Sequence, residues 1–274
     1  MPRWINARPS STVALTLGAL PFLVLLVAYL IASDLRLQEN PDDKLLPSLS
    51  SFAETVRHYA WEPDRRSGDI LLWTDTAASL TRLGWGLLIC SIAGLIFGTL
   101  LGALPYARAA LSPLVGAIAL VPPLAVLPIL FIVFGLGEVS KVALIVIGIL
   151  PFLIRDLALR VEEIPREHIV KALTLGAGTW QVLVRVIVPQ VLPRLLQSLR
   201  LGLGAAWLFL IAAEAIAADA GLGYRIFLVR RYLAMDVILP YVAWITLLAY
   251  LLDYGLRGLS RWAFPWYQSG RQRT

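Results

Sequence analysis

Glu214 is the residue of this 274-residue chain best placed to do chemistry. It is a carboxylate inside an apolar run, Leu201 to Ala218, about one helical turn from its end. Trp207 stands seven residues earlier, nearly two turns away and so on the same face. An acid in such a run snorkels to the interface, pairs with Arg82 or Arg225, or contacts a ligand. Pro122 and Pro123 are a second feature, because they remove two backbone donors and block a helix within the apolar run Pro113 to Phe134. Backbone so freed is tolerated at membrane depth only beside protein or a wet cavity. The two prolines therefore line a pathway or kink a helix for packing. With Trp207 and Glu214 they make up the candidate translocation set.

Other chemistries lack their residues. No G-x-x-x-x-G-K-[ST] phosphate loop occurs, so the chain is not expected to bind or hydrolyse ATP itself, and no H-E-x-x-H occurs. The single cysteine, Cys90, gives no disulfide and no thiolate metal site. His58 and His168 fall on opposite sides of the expected membrane and cannot form one site. We expect no cofactor, no metal and no enzymatic activity in this chain.

The elements that must position these residues are membrane helices. Apolar residues make up 58% of the chain and charged ones 15%, with a mean hydropathy of +0.75, far from a soluble average. Six runs read as spans of the roughly 20 residues that cross a bilayer core: Val13 to Ala32, Leu83 to Pro105, Pro113 to Phe134, Val142 to Leu159 (broken by Arg155 and Asp156), Leu201 to Ala218, and Val237 to Leu252, which Asp253 to Leu259 can prolong. Period-2 barrel strands are absent from the pattern. The predicted fold is an all-α bundle of six transmembrane helices. The first run exceeds a signal-peptide core, and no A-x-A-like site follows it, which argues against cleavage.

Arginine placement orients the bundle, because short loops rich in Lys and Arg stay inside. Arg3 and Arg8 precede the first span without an acid, and Arg257, Arg261, Arg271 and Arg273 follow Asp253 without one. Both termini are therefore expected inside. The stretch Ser33 to Leu72 carries eight acids against five basic residues and suits the outside. Asp219 to Asp236 should also be outside, yet holds Arg225, Arg230 and Arg231, so either it packs against the protein or the topology fails there. The net charge of +6 fits anionic inner-leaflet lipid and needs no nucleic acid. Three regions follow: 1–75, a helix plus an external segment; 76–266, the main transmembrane domain with an inner loop at 160–193; and 267–274, an inner tail. Ser48 to Tyr59 reads as an amphipathic helix with Phe52, Val56 and Tyr59 on one face. Gly94, Gly98 and Gly102 repeat small-xxx-small and predict close helix packing, and Asp253 and Arg257 predict an i, i+4 pair.

The inner loop carries the most specific pattern. Pro165 suits the first position of a helix Arg166 to Leu175, which Gly176 and Gly178 break. Thr179 can cap a second helix, Trp180 to Val188, that Pro189 interrupts. Gly176-Ala177-Gly178, followed by Ile187-Val188-Pro189 and then Pro193, resembles the EAA loop of binding-protein-dependent ABC importer permeases. The match assigns Gly176 to the motif glycine, Ala177 to its neighbour, Ile187 to the aliphatic position and Pro189 to the terminal proline. It departs at the front, where Val170 replaces the name-giving glutamate, Lys171 and Ala172 fill the alanine positions, and Leu175 replaces the common Asp. Val121-Pro122-Pro123-Leu124-Ala125, Phe134-Gly135-Leu136-Gly137-Glu138 and Gly221-Leu222-Gly223-Tyr224 further resemble the nitrate, sulfonate and taurine branch. The resemblance covers roughly Thr76 to Trp266. It implies a type I (MetI-like) importer fold in a bacterial inner membrane, with two permease subunits as a homodimer, two ATPases that bind the ATP, and a periplasmic binding protein. It also implies an ATPase-coupling loop of Lys171, Ala172, Leu175, Gly176, Ala177, Gly178, Ile187 and Pro189, a small anionic substrate, and alternating access. A secondary transporter or channel working alone is the competing reading; it calls for inverted repeats or several intramembrane charges, and neither is seen.

Overall fold

The computed structural model describes residues 10–40, 43–65 and 67–269. Arg3, Arg8, Arg271 and Arg273, on which the placement of the termini partly rests, lie outside these, as do 270–274 of the expected tail. The described residues form helices joined by turns, with no strand among them. Helix α1 (Ser11–Glu39) is capped by Ser10, whose hydroxyl accepts from Val13 N. Its apolar stretch is exposed along its length, and Tyr29 and Ser33 tie it to the carbonyls of Pro47 and Leu46. Amphipathic α2 (Leu49–Trp61) follows, capped by Ser48. Phe52 stacks on Tyr29 and Tyr59 meets Tyr241 edge-on, so the expected face is the one that packs. Burial pushes the Tyr59 phenol up.

The bundle proper consists of α3 (Leu71–Ala103), α4 (Pro105–Ala119), α5 (Pro123–Phe134), α6 (Glu138–Glu162), α9 (Val188–Ala217) and α11 (Met235–Ala263). Its core lies between α3, α6 and α9, with Leu83, Leu144, Ile145, Leu153, Leu157 and Leu210 all at 0–1% exposure. The glycine stripe of α3 sets the approach to α6. A Cβ on Gly86, Gly94 or Gly98 would come 2.6–2.7 Å from Ile145, Leu153 or Leu157, and one on Gly102 would collide with Val161. Each partner lies 59 positions further along the chain (145 − 86, 153 − 94, 157 − 98, 161 − 102). The two helices therefore run parallel, in contact for four turns.

Parallel neighbours require the chain to return between them. The stretch expected as one span, Pro113 to Phe134, is instead two helices, α4 and α5, bent by 96°. The correction has a local cause: Pro122 and Pro123 supply no amide hydrogen, so the α4 hydrogen-bond ladder stops at Leu120 and Val121. Among the described residues five helices are long and apolar enough to cross a bilayer, or six with the bent pair taken as one span.

Two other boundaries also differ from expectation. Helix α3 begins at Leu71 rather than near Leu83, because Asp75, Thr76, Ser79 and Arg82 are buried in polar contacts that hydropathy cannot register. Pro189 does not interrupt its helix. Thr179–Ala217 is one 39-residue rod, made of α8 (Thr179–Val182), a π-helical segment Leu183–Ile187 and α9. Val188 N–H donates to Leu183 O across the wider turn, and this widening gives the Pro189 ring the room it would lack in a regular helix. Gly178, not Thr179, is the N-cap of the rod.

Candidate functional site

At the end of the bundle that the arginines place inside, α7 (Arg166–Thr174) begins after Pro165, its N-cap. Its end is a Schellman turn. Gly176 N–H donates to Leu173 O at 2.9 Å and Ala177 N–H to Ala172 O at 3.0 Å, with Gly176 at φ +84°, a conformation glycine adopts without strain. Ala172 and Ala177 both pack on the core beside Ile169, supplying the apolar contact that accompanies this turn. Gly178 N–H donates to Gln181 Oε1 at 3.0 Å and so starts the next helix. The other face is bare: Lys171 is exposed, and Val170, Leu173, Leu175 and Trp180 are 58%, 52%, 88% and 73% exposed. Ile187 is buried and Pro189 half-buried in the rod behind the turn. The residues expected to form a coupling loop thus divide into an anchored inner set (Ala172, Ala177, Ile187, Pro189) and an exposed tip.

The prolines and the Trp207–Glu214 pair are not in one place. Pro123 lines a cavity of about 470 Å³ at the α4–α5 break, with Gly148 and Arg155 of α6 and Phe209 of α9, and Pro122 is exposed at the break. Trp207 and Glu214 are 4% and 0% exposed on the buried face of α9. Trp207 Nε1 has no hydrogen-bond partner among the described residues.

Glu214 belongs to an ion network at the opposite end that is buried except at Glu138. Arg82 Nη1 donates to Glu214 Oε1 and to Ala220 O, both at 2.7 Å. The rest of the same guanidinium grips Glu138 at 2.5 and 2.8 Å, and Lys141 reaches Glu138 at 3.0 Å. Ser79 Oγ donates to Glu214 and accepts from Leu222 N–H, while Gly223 N–H donates to Glu214 Oε2. Beside it, Asp75 accepts from Gly221 N–H, from Arg225 Nε at 2.8 Å and from Tyr241 OH. Of the pairings open to Glu214, the structure forms the one with Arg82. The first part of the arginine-bearing segment 219–236, which includes α10 (Leu222–Val229), packs inward with Arg225 on Asp75, while Arg230 and Arg231 are exposed.

Asp75 and Ser79 were not singled out by their sequence, and Glu138 stood out only as the end of a family-like stretch. The available signal was the spacing of Asp75, Ser79 and Arg82, one face of a helix at i, i+4 and i+7. What the network does is fasten the 218–223 turn to α3 and α6. Gly221, at φ +140°, is required there, since a Cβ would sit 2.6 Å from the Glu214 carboxyl. At the inner end Asp253 pairs with Arg257 at 2.9 Å, as its spacing predicts, and also with Arg200 at 2.7 Å. On α2, the His58 ring hydrogen-bonds Glu62 and holds that carboxyl below the usual carboxylate range.

Residues 91–266 match the family described as the binding-protein-dependent transport system inner membrane component. The chain is 41% identical over 199 residues, 73% of it and 72% of the relative, to the taurine transport system permease protein TauC of Escherichia coli (strain K12). It is 29% identical over 209 residues, 76% of it and 75% of the relative, to the nitrate import permease protein NrtB of Synechococcus elongatus. It is 33% identical over 202 residues, 73% and 72%, to the bicarbonate transport system permease protein CmpB of the same species. Among solved structures, one of the MetNI methionine ABC transporter in inward-facing conformations superposes with a TM-score of 0.57 at 22% identity, over 69% of this chain and 93% of that one, a likeness of fold. With a parallel helix pair bridged by a broken span, a capped inner turn and these relatives, the chain belongs to the binding-protein-dependent inner membrane permeases of ABC transporters.

Proposed function

We propose that this permease works as a pair of copies with two ATP-binding cassette subunits and an external binding protein, and that its cargo is a small oxyanion of the sulfonate, nitrate or bicarbonate kind. The observation that carries the reading is the tip at Val170, Leu173, Leu175 and Trp180. Large apolar side chains more than half exposed at an aqueous end form a patch that marks a protein partner, and the turn beneath them is anchored to the core through Ala172 and Ala177. A partner that grips the tip therefore moves the bundle with it. ATP binding and hydrolysis belong to that partner, and they switch the paired bundles between inward-open and outward-open states. The anion class follows the relatives, whose cargoes are taurine, nitrate and bicarbonate.

Co-purification of the tagged chain from its native membrane tests the assembly. An ATPase subunit recovered in equal amount, with hydrolysis stimulated by a loaded binding protein, is the expected result. Solute movement by the isolated chain without ATP would instead establish a secondary transporter.

A further inference from the structure

The break between α4 and α5 opens the cavity of about 470 Å³ lined by Val121, Pro123, Gly148, Pro151, Phe209 and Arg155, a volume in the range of small-ligand sites. Arg155 is the anomaly in this wall. It stands seven residues before the end of α6 at Glu162, about 10 Å along the axis, and is exposed on the side that the cavity opens to. Its neighbour Asp156 also borders the cavity but is already engaged: it accepts from Ser198 Oγ and lies 3.4 Å from Arg160. Among the described residues no carboxylate pairs with Arg155. The cavity wall thus holds an arginine in no direct ion pair, beside an Asp156 that is engaged elsewhere, among mostly apolar side chains. In the same wall Gly148 leaves room for the Phe209 ring, where any Cβ would collide.

We propose that Arg155 is the anion-contacting residue of the translocation pathway, receiving the oxyanion of the cargo as it passes the α4–α5 break. The planar guanidinium fork presents two parallel N–H donors to a sulfonate, nitrate or bicarbonate group. The guanidinium is exposed and the apolar part of the wall adds no further donors, so the contact is selective for charge and weak enough to release. This assignment rests on the anionic cargo proposed above.

The test uses the full permease reconstituted in proteoliposomes with its ATPase and binding protein, with taurine, nitrate and bicarbonate as probes. Arg155→Gln should lower uptake of the transported probe by about tenfold to a hundredfold, as expected for one charge-assisted hydrogen bond, while binding-protein-stimulated ATP hydrolysis stays at its original rate. Arg155→Lys should recover most of the loss. Arg155→Cys supplies a charge readout independent of folding, because Cys90 is buried and the new thiol is the accessible one. An ammonium-bearing methanethiosulfonate should restore uptake and a sulfonate-bearing one should not. Unchanged uptake in Arg155→Gln, or equal rescue by both reagents, overturns the site while leaving the anion reading intact. Failure of the unsubstituted complex to carry any of the three probes overturns the anion reading and the site with it.

Discussion

Arg82 Nη1 and Glu214 Oε1 lie 2.7 Å apart, joined across 132 residues of chain, with the carboxylate wholly buried. Removing Arg82 leaves the buried Glu214 carboxylate without its cation, which costs about 3–5 kcal/mol, whereas removing Glu214 leaves Arg82 on Glu138 and the Ala220 carbonyl. Arg82→Ala is expected to be destabilised by about that much in detergent-solubilised unfolding, and Glu214→Ala by less. The double variant should lose less than the sum. Two single losses below about 1 kcal/mol would show the pair to be dispensable.

The turn that the network holds has its own weak point. Gly221→Ala combines a φ of +140° with a Cβ aimed at the Glu214 carboxyl, and such strain costs on the order of 1–3 kcal/mol. Protease nicking between residues 218 and 223 should rise accordingly. Gly137→Ala, at a glycine with open space around it, should leave the nicking pattern unchanged.

The α3–α6 contact predicts a graded series. Gly94→Ala places a Cβ 2.6 Å from Leu153 and must push the helices apart, with a cost of about 1–3 kcal/mol for overpacking. Gly84→Ala, on the same helix with nothing within 4 Å, should be neutral or slightly stabilising through helix propensity. Equal melting temperatures for the two variants would contradict the parallel register.

Gly176 and Gly178 make a pair of opposite expectations within three residues. Gly176→Val forces a β-branched residue to φ +84° and should separate ATP hydrolysis from uptake while the chain still inserts. Gly178→Ala, at φ −75° with open space, should keep both. Gly176→Asn, the other residue that enters the left-handed region readily, should recover a measurable part of the coupling.

Leu175→Glu changes the most exposed apolar side chain of the tip and no packing contact of the core. Unfolding should be unaffected within about 0.5 kcal/mol, while affinity for the ATPase subunit should fall about tenfold, read by the amount retained on the tagged permease. Undiminished retention would move the docking surface elsewhere.

Local chemistry alone determined a good part of this protein. Apolar run lengths fix a helical membrane bundle, the Gly176-Ala177-Gly178 turn follows from glycine's freedom at positive φ, the α2 face from its period, and the Asp253–Arg257 pair from its spacing. The loop motif was enough to identify the family. What hydropathy missed were interactions whose partners are far apart in the chain. Asp75, Ser79 and Arg82 extend α3 well beyond its apolar run because Arg225, Glu214 and Glu138 meet them from distant segments. Pro189 stays inside a helix because a π-helical segment widens the turn before it, a rearrangement of backbone hydrogen bonds that residue type does not announce. Pro122 and Pro123 announced a break but not its 96° angle, and it is that angle, set by packing against α6 and α9, that opens the cavity where Arg155 lies. Sequence read the terms that depend on neighbours in the chain; tertiary structure decided those that depend on which buried charge finds which partner, because Coulomb and packing energies act through space and not along the backbone.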